Sequence, residues 1–122
     1  MSRASSYRIS RDEGIVSIDF SGNPSSDELH RLVAHLEEME NSERRLYVMI
    51  DAEILLSTAE VREGADYAKS MNNQPERIAV VAPREISYGI SRIFKVFRDS
   101  PVTELRVFRE LDEARDWLLE KD

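Results

Sequence analysis

The sequence contains no cysteine, and this absence removes several kinds of chemistry at once. Disulfides, thiolate metal ligands and thiol nucleophiles all require cysteine, so all three are excluded. Glycine is also scarce, with four residues scattered at Gly14, Gly22, Gly64 and Gly89. Scattered glycines form neither a phosphate-binding loop nor a dinucleotide fingerprint. We therefore expect no cofactor of these kinds and no metal site.

Histidine and long apolar runs are scarce as well. His30 and His35 are five residues apart, so they do not form the i, i+4 pair of a helical zinc site, and we predict both at the surface. The apolar runs at 46–50 and 78–82 are far too short to cross a bilayer. The first six residues lack the apolar centre of a signal peptide, so we expect a cytoplasmic protein with no transmembrane segment.

The composition that remains is that of a globular chain. It has 122 residues, of which 41% are hydrophobic and 34% are charged, so we expect residues 1–122 to form a single domain. The net charge of −7 argues against nucleic acid as a partner, because phosphates would be repelled. Arg92, Lys95 and Arg98 are a local exception, which we interpret as a solvated basic face of a helix.

The stretch from Arg77 to Phe97 organises the predicted fold. Its first part, 78–82, is a short run rich in β-branched residues that ends at Pro83, and this pattern predicts a strand buried on both faces. Large apolar residues then recur at helical spacing, which predicts an amphipathic helix. These residues are Ile86, Ile90, Ile93, Phe94 and Phe97. The similar run at 46–50 predicts a second buried strand.

Alternating patterns flank the two buried strands. Residues 7–10 and 16–20 alternate around the turn 11–14, which predicts an N-terminal β-hairpin at one edge of the sheet. Residues 104–108 alternate again and predict the opposite edge, followed by a short helix that packs Trp117 inward. Crossovers of about 20–25 residues require parallel pairing. We therefore predict an α/β fold with a mostly parallel five-stranded sheet in chain order and four main helices.

Two of the predicted helices begin with a capping box. Ser25 with Glu28 opens a helix to about Asn41, and Ser57 with Glu60 opens another to about residue 71. The second helix has fewer large apolar residues than the first and contains Gly64.

Three segments of the sequence resemble a known family. Residues 80–83, 88–94 and 106–111, together with Ala114, Trp117 and Leu118, are similar to the signature of the SpoIIAA-like family of small bacterial proteins related to STAS domains. The resemblance implies a βα superhelix with sequential strands. It also implies a non-enzymatic regulatory or protein-interaction module, and many similar proteins have no assigned biochemical role.

The carboxyl ends of the parallel strands are where ligands approach such sheets. Asp51, Pro83, Tyr88 and Arg92 are expected there and are our candidates for a binding surface. Asp51 ends a strand, where an aspartate is either catalytic or an acceptor of hydrogen bonds from the next loop. No histidine or second carboxylate is visibly paired with it, so we expect no enzyme and no catalytic residue.

The triplet Ile54, Leu55 and Leu56 is unusual because it is large and apolar in a predicted loop. It either packs under the end of the sheet, forms a partner-binding surface, or lines the mouth of an apolar pocket. SpoIIAA-like folds are also compared with lipid-binding CRAL-TRIO domains, so the resemblance admits a small apolar ligand. Tyr88 would then line the pocket mouth, or else be a half-buried helix residue.

Ser57 and Thr58 are candidate phosphoacceptors by the same resemblance. STAS proteins that act as anti-anti-sigma factors carry a phosphorylatable serine near this place, in a pattern similar to Asp-Ser-Ser-Gly. This chain instead has Ser57 and Thr58 between Leu56 and Ala59, so both the acid and the glycine are missing. The alternative is that Ser57 only caps the helix.

Self-association is the last expectation. Period two places Tyr47 and Met49 on one face of their strand and Leu46, Val48 and Ile50 on the other. If most helices favour one face, either the N-terminal hairpin and one returning helix cover the other face, or a two-fold dimer buries it. We therefore predict another protein, or a second copy in a weak homodimer, as the partner.

Overall fold

The computed structural model describes residues 7–38, 44–72 and 74–120. The chain begins with a β-hairpin and continues with alternating helices and strands. The strands form one sheet in the order β1-β2-β3-β4-β5, with β1 and β2 antiparallel and all other neighbours parallel. The predicted fold is thus confirmed, although the predicted end of the first helix near Asn41 lies outside the described residues. The elements are β1 (Tyr7–Asp12), β2 (Ile15–Gly22), α1 (Ser26–Glu37), β3 (Arg44–Ala52), α2 (Thr58–Lys69), β4 (Arg77–Val81), α3 (Glu85–Arg98), β5 (Glu104–Phe108) and α4 (Leu111–Leu119).

The hairpin closes with a two-residue turn at Glu13 and Gly14. Both residues have positive φ, 53° and 77° respectively. Turns of this kind match the right-handed twist of the flanking strands, and glycine takes the second position without strain. The turn therefore fixes the register that pairs Asp12 with Ile15.

The two faces of the sheet are covered by different helices. Helices α1, α2 and α3 lie over one face, which we call the three-helix face, and α4 lies over the other. The separation of Tyr47 from Leu46 and Val48 follows the predicted period of two. The three-helix face carries Ile18, Phe20, Tyr47, Val80 and Leu105.

Helix α4 covers the apolar part of the opposite face. Leu46, Val48 and Val81 pack there against Trp117 and Leu118, and each of these residues is buried. Helix α4 therefore covers, within one chain, much of the apolar surface that suggested dimerisation, whereas Ile50 of the same predicted set is 41% exposed. Self-association stays a prediction.

Arginines hold the end of α4 against the sheet. The guanidinium groups of Arg77 and Arg106 lie 5.1 and 4.9 Å from the centroid of the Trp117 ring. Arg77 also donates to the Trp117 carbonyl at 2.7 Å, and Arg44 donates to the Leu118 carbonyl at 2.7 Å. The last carbonyls of a helix lack partners within the helix, so these bonds stabilise its end.

Helix α3 buries a different side from the one that its large apolar residues predict. Ile86 is 64% exposed, whereas Ser87, Ser91 and Arg98 are buried. Small serines allow the helix backbone to approach the sheet closely, and the larger residues Ile90, Ile93, Phe94 and Phe97 are half buried. The prediction that Ile86 faces the core was wrong.

The prediction that α3 has a solvent-exposed basic face was also wrong, at one of the three positions. Arg92 is exposed, and Lys95 is partly buried and donates to Asp99 and to the Leu105 carbonyl, both at 2.7 Å. Arg98 is only 1% exposed. It lies seven residues after Ser91, two helical turns along the side that faces the sheet, so helical geometry prevails over residue type.

Strand β3 is longer than the predicted strand 46–50. After an irregularity in β2, Ser21 pairs with Asp51 and Gly22 pairs with Ala52, which carries the ladder two residues further. Asp51 is therefore an exposed strand residue and not the start of a loop. Ile50 is 41% exposed, so this end of the strand is not buried on both faces as predicted.

Candidate functional site

An apolar pocket of about 100 Å³ lies between the three-helix face and helices α1, α2 and α3. Tyr47 and Ile54 are buried residues of its wall. Ser26, His30 and Tyr67 also line it, and these partly exposed residues belong to α1 and α2. The pocket therefore runs from the sheet toward the surface between these two helices.

Small residues on α2 create the space. Gly64 and Ala68 line the pocket, and a Cβ atom added at Gly64 would meet no other atom within 4 Å. A glycine inside a helix costs roughly 0.5–1 kcal/mol relative to alanine, so this helix is less stable than its geometry allows. The shortage of large apolar residues in α2 was the sequence signal for the pocket.

The partly exposed side of the pocket has a defined polar group at His30. Its Nδ1 lies 2.9 Å from the carbonyl oxygen of Ser26. Because a carbonyl only accepts, Nδ1 is the donor in this bond. The ring packs on Tyr67 with the centroids 5.0 Å apart. His35 is exposed as predicted, but this ring contact leaves His30 half buried.

Ser57 caps the N-terminus of α2, as predicted. Its Oγ accepts from the Glu60 N–H at 3.1 Å, and its own N–H donates to Glu60 Oε1 at 3.0 Å. The bond from the Ser57 backbone, and then the bond to its side chain, lower the pKa of Glu60. Ser57 and Thr58 are both exposed. Phosphorylation at either residue stays a prediction.

The apolar triplet divides between the predicted environments. Ile54 is buried, with 3% of its surface exposed, and Leu56 is partly buried. Both line the pocket. Leu55 points outward and is 55% exposed. One short loop thus supplies both pocket wall and exposed surface.

Residues 51–58 and 83–92 together form what we call the carboxyl-end surface. An ion pair of 3.4 Å between Glu53 and Arg84 joins its two segments. A second ion pair of 3.1 Å joins Glu85 to Arg109, just beyond β5. Ile86 follows Glu85 in the chain and is largely exposed. The two ion pairs thus connect the loop after β3, the start of α3 and the residue after β5 at the surface.

Tyr88 is a half-buried helix residue and does not line the pocket. The Arg109 guanidinium lies 4.0 Å from the centroid of its ring. Asp51, Pro83 and Arg92 are exposed and do not line the pocket either. Sequence reasoning did not single out Arg109, because it lies far from α3 along the chain. The role of these candidates in partner binding stays a prediction.

The described ranges contain neither a metal-binding cluster nor a membrane-spanning helix. Within residues 7–38, 44–72 and 74–120, no group of three or more His, Asp or Glu side chains is placed to hold a metal ion. In that same part of the chain, every helix is too short or too polar to cross a bilayer.

Comparison with known proteins identifies the family. A profile described as SpoIIAA-like matches residues 15–119. The chain belongs to the SpoIIAA-like family. None of the curated proteins matches it in sequence.

Two solved structures share the fold of this SpoIIAA-like chain. One is an uncharacterised DUF3478-family protein with a SpoIIAA-like fold from Shewanella loihica PV-4, with 17% identity, a TM-score of 0.58, and coverage of 92% of this chain and 91% of that one. The other is an anti-sigma factor antagonist from Mycobacterium paratuberculosis, with 13% identity, a TM-score of 0.62 and 93% coverage of each chain. At these identities the likeness shows the fold alone.

Proposed function

We propose that this SpoIIAA-like protein is a regulatory interaction module without enzymatic activity. It contacts a protein partner through the carboxyl-end surface. The family supports this proposal, as does the structural neighbour that is named an anti-sigma factor antagonist.

The observation that carries the proposal is a pair of exposed large apolar side chains on the carboxyl-end surface. Leu55 is 55% exposed and Ile86 is 64% exposed, one on each segment of the carboxyl-end surface. The ion pair between Glu53 and Arg84 links the two segments. Burying large exposed apolar residues on binding is favourable, so a surface that carries two of them suits a protein interface.

Site-specific photocrosslinking in the native host tests the surface directly. A photoreactive phenylalanine analogue is placed at Leu55, at Ile86 and, as a control, at Val102. Val102 is 63% exposed but lies before β5, at the opposite end of the sheet. We expect the same discrete adduct from the first two positions and none from the third. Absence of an adduct at Leu55 and Ile86, or an equal yield at Val102, would contradict the proposal.

The pocket supports a second function, the binding of a small apolar ligand. A pocket of about 100 Å³ is of the order of a cavity that accepts one benzene-sized molecule. Native mass spectrometry of gently purified protein should then show a reproducible bound mass. Gly64→Met places a long side chain in the pocket and should abolish that mass. Protein that is always free of ligand, and that takes up no added apolar compound, would refute this function.

Phosphorylation of Ser57 is a proposed regulation of the first function. A phosphate there would sit at the positive end of α2, yet beside the Glu60 carboxylate. We expect Ser57→Asp to change the yield of the Leu55 adduct, while Ser57→Asn keeps the helix cap without the charge. Equal yields from both variants and the unaltered chain would count against the switch.

A further inference from the structure

The hydroxyl of Ser91 is buried at the wall of the apolar pocket, and its hydrogen-bond partner among the described residues is a weak one. Ser91 lies on α3, lines the pocket and is 3% exposed. Its Oγ donates to the sulfur of Met49 at 3.9 Å, and Met49 lines the pocket as well. A thioether sulfur is a weak acceptor, so most of the hydrogen-bonding capacity of this buried hydroxyl is unused.

Ser87 provides a comparison one helical turn earlier on the same side of α3. It is buried as well, with 1% of its surface exposed, but it does not line the pocket. Both serines are small enough for the helix to approach the sheet closely, so close packing alone accounts equally for either of them. The position of Ser91 at the pocket is the feature that distinguishes it.

The charges around the pocket favour an uncharged ligand. Among the described residues that line it, none is lysine or arginine, whereas the Glu60 carboxylate is negative. His30 also lines the pocket and uses its Nδ1 in the bond to the Ser26 carbonyl. Burying an anion without a cationic partner is costly, so a carboxylate or phosphate would be disfavoured in this space.

We propose that the pocket takes a small uncharged ligand with one carbonyl group, whose oxygen accepts a hydrogen bond from Oγ of Ser91. This inference rests on the ligand-binding function proposed above and adds the class of ligand and its orientation. A carbonyl oxygen is a stronger acceptor than a thioether sulfur, and the hydroxyl hydrogen exchanges one acceptor for the other by rotation alone. The pocket of about 100 Å³ limits the apolar body to about the size of a six-membered ring.

Cyclohexanone and methylenecyclohexane test the proposal, since they have nearly the same shape and differ in the carbonyl oxygen. Because water hydrates the two compounds differently, the quantity to compare between variants is the ratio of their affinities, measured by NMR titration of the full chain. Ser91→Ala should lower the affinity for cyclohexanone relative to methylenecyclohexane by about three- to tenfold, the size expected of one neutral hydrogen bond. Ser87→Ala removes a buried hydroxyl outside the pocket and should leave this ratio unchanged.

The outcomes separate this inference from the function on which it rests. An unchanged ratio in Ser91→Ala, or an equal fall in Ser87→Ala, would overturn the carbonyl inference and leave the ligand-binding function standing. Binding of methylenecyclohexane alone to the unaltered chain would do the same. Binding of neither compound, or binding of both that survives Gly64→Met, would overturn the inference and the function together. Alanine is smaller than serine and favours helices, so both serine variants should fold.

Discussion

Replacing Gly64 should stabilise the protein and, with a larger side chain, close the pocket. Gly64 lies inside α2, where alanine is favoured over glycine by roughly 0.5–1 kcal/mol. A Cβ atom there meets no other atom within 4 Å, so no steric cost offsets this gain. We therefore expect Gly64→Ala to raise the free energy of unfolding by about 0.5–1 kcal/mol, measured by urea denaturation.

Gly89 provides a matched control in α3. It also lies inside a helix, and a Cβ atom there likewise meets nothing within 4 Å, but it is exposed and does not line the pocket. Gly89→Ala should raise the free energy of unfolding by a similar amount. Substitutions at the two glycines should differ in their effect on the pocket only when the new side chain is long. Gly64→Met fills the pocket, whereas the methionine side chain of Gly89→Met extends into solvent.

The assay combines stability with binding of 1-octanol. Gly64→Met should lose 1-octanol binding by at least about tenfold, while Gly89→Met should bind as the unaltered chain does. If Gly64→Ala lowers the free energy of unfolding, the space beside Gly64 is not open and the reasoning fails. If Gly64→Met binds 1-octanol normally, the compound does not occupy this pocket.

Three further predictions concern pH, the anchoring of α4 and self-association. The pKa of Glu60 is lowered in the folded chain, so its contribution to stability is present above its unfolded value near 4.5 and is lost as pH falls through the folded value. Urea unfolding of Glu60→Gln between pH 2 and 6 should therefore show a weaker pH dependence, and identical slopes would contradict this. Arg44→Ala removes the bonds to the Leu118 carbonyl and to Glu76, so we expect the free energy of unfolding to fall by about 1.5–3 kcal/mol. Arg62→Ala removes only an exposed ion pair and should lower the free energy of unfolding by less than about 0.5 kcal/mol. Sedimentation equilibrium at tens of micromolar should show weak dimerisation, and a single 14.1 kDa species would exclude it.

Patterns local to the chain were sufficient for the fold. The runs at 46–50 and 78–82, the two capping boxes and the hairpin turn each depend on residues that are near neighbours in sequence. Such signals survive in isolation, because backbone hydrogen bonding and side-chain period act over a few residues. The family resemblance agreed with them and gave the same order of strands.

The tertiary structure alone decided which side of α3 is buried and where empty space remains. Ile86 and Arg98 exchanged their expected environments, because the direction in which α3 packs depends on the small side chains of Ser87 and Ser91 against the sheet. The pocket lies between helices and sheet, and it exists because α2 presents Gly64 where the sheet, α1 and α3 leave a gap. Packing of this kind depends on residues far apart in the sequence, and a periodicity within one element carries no information about it.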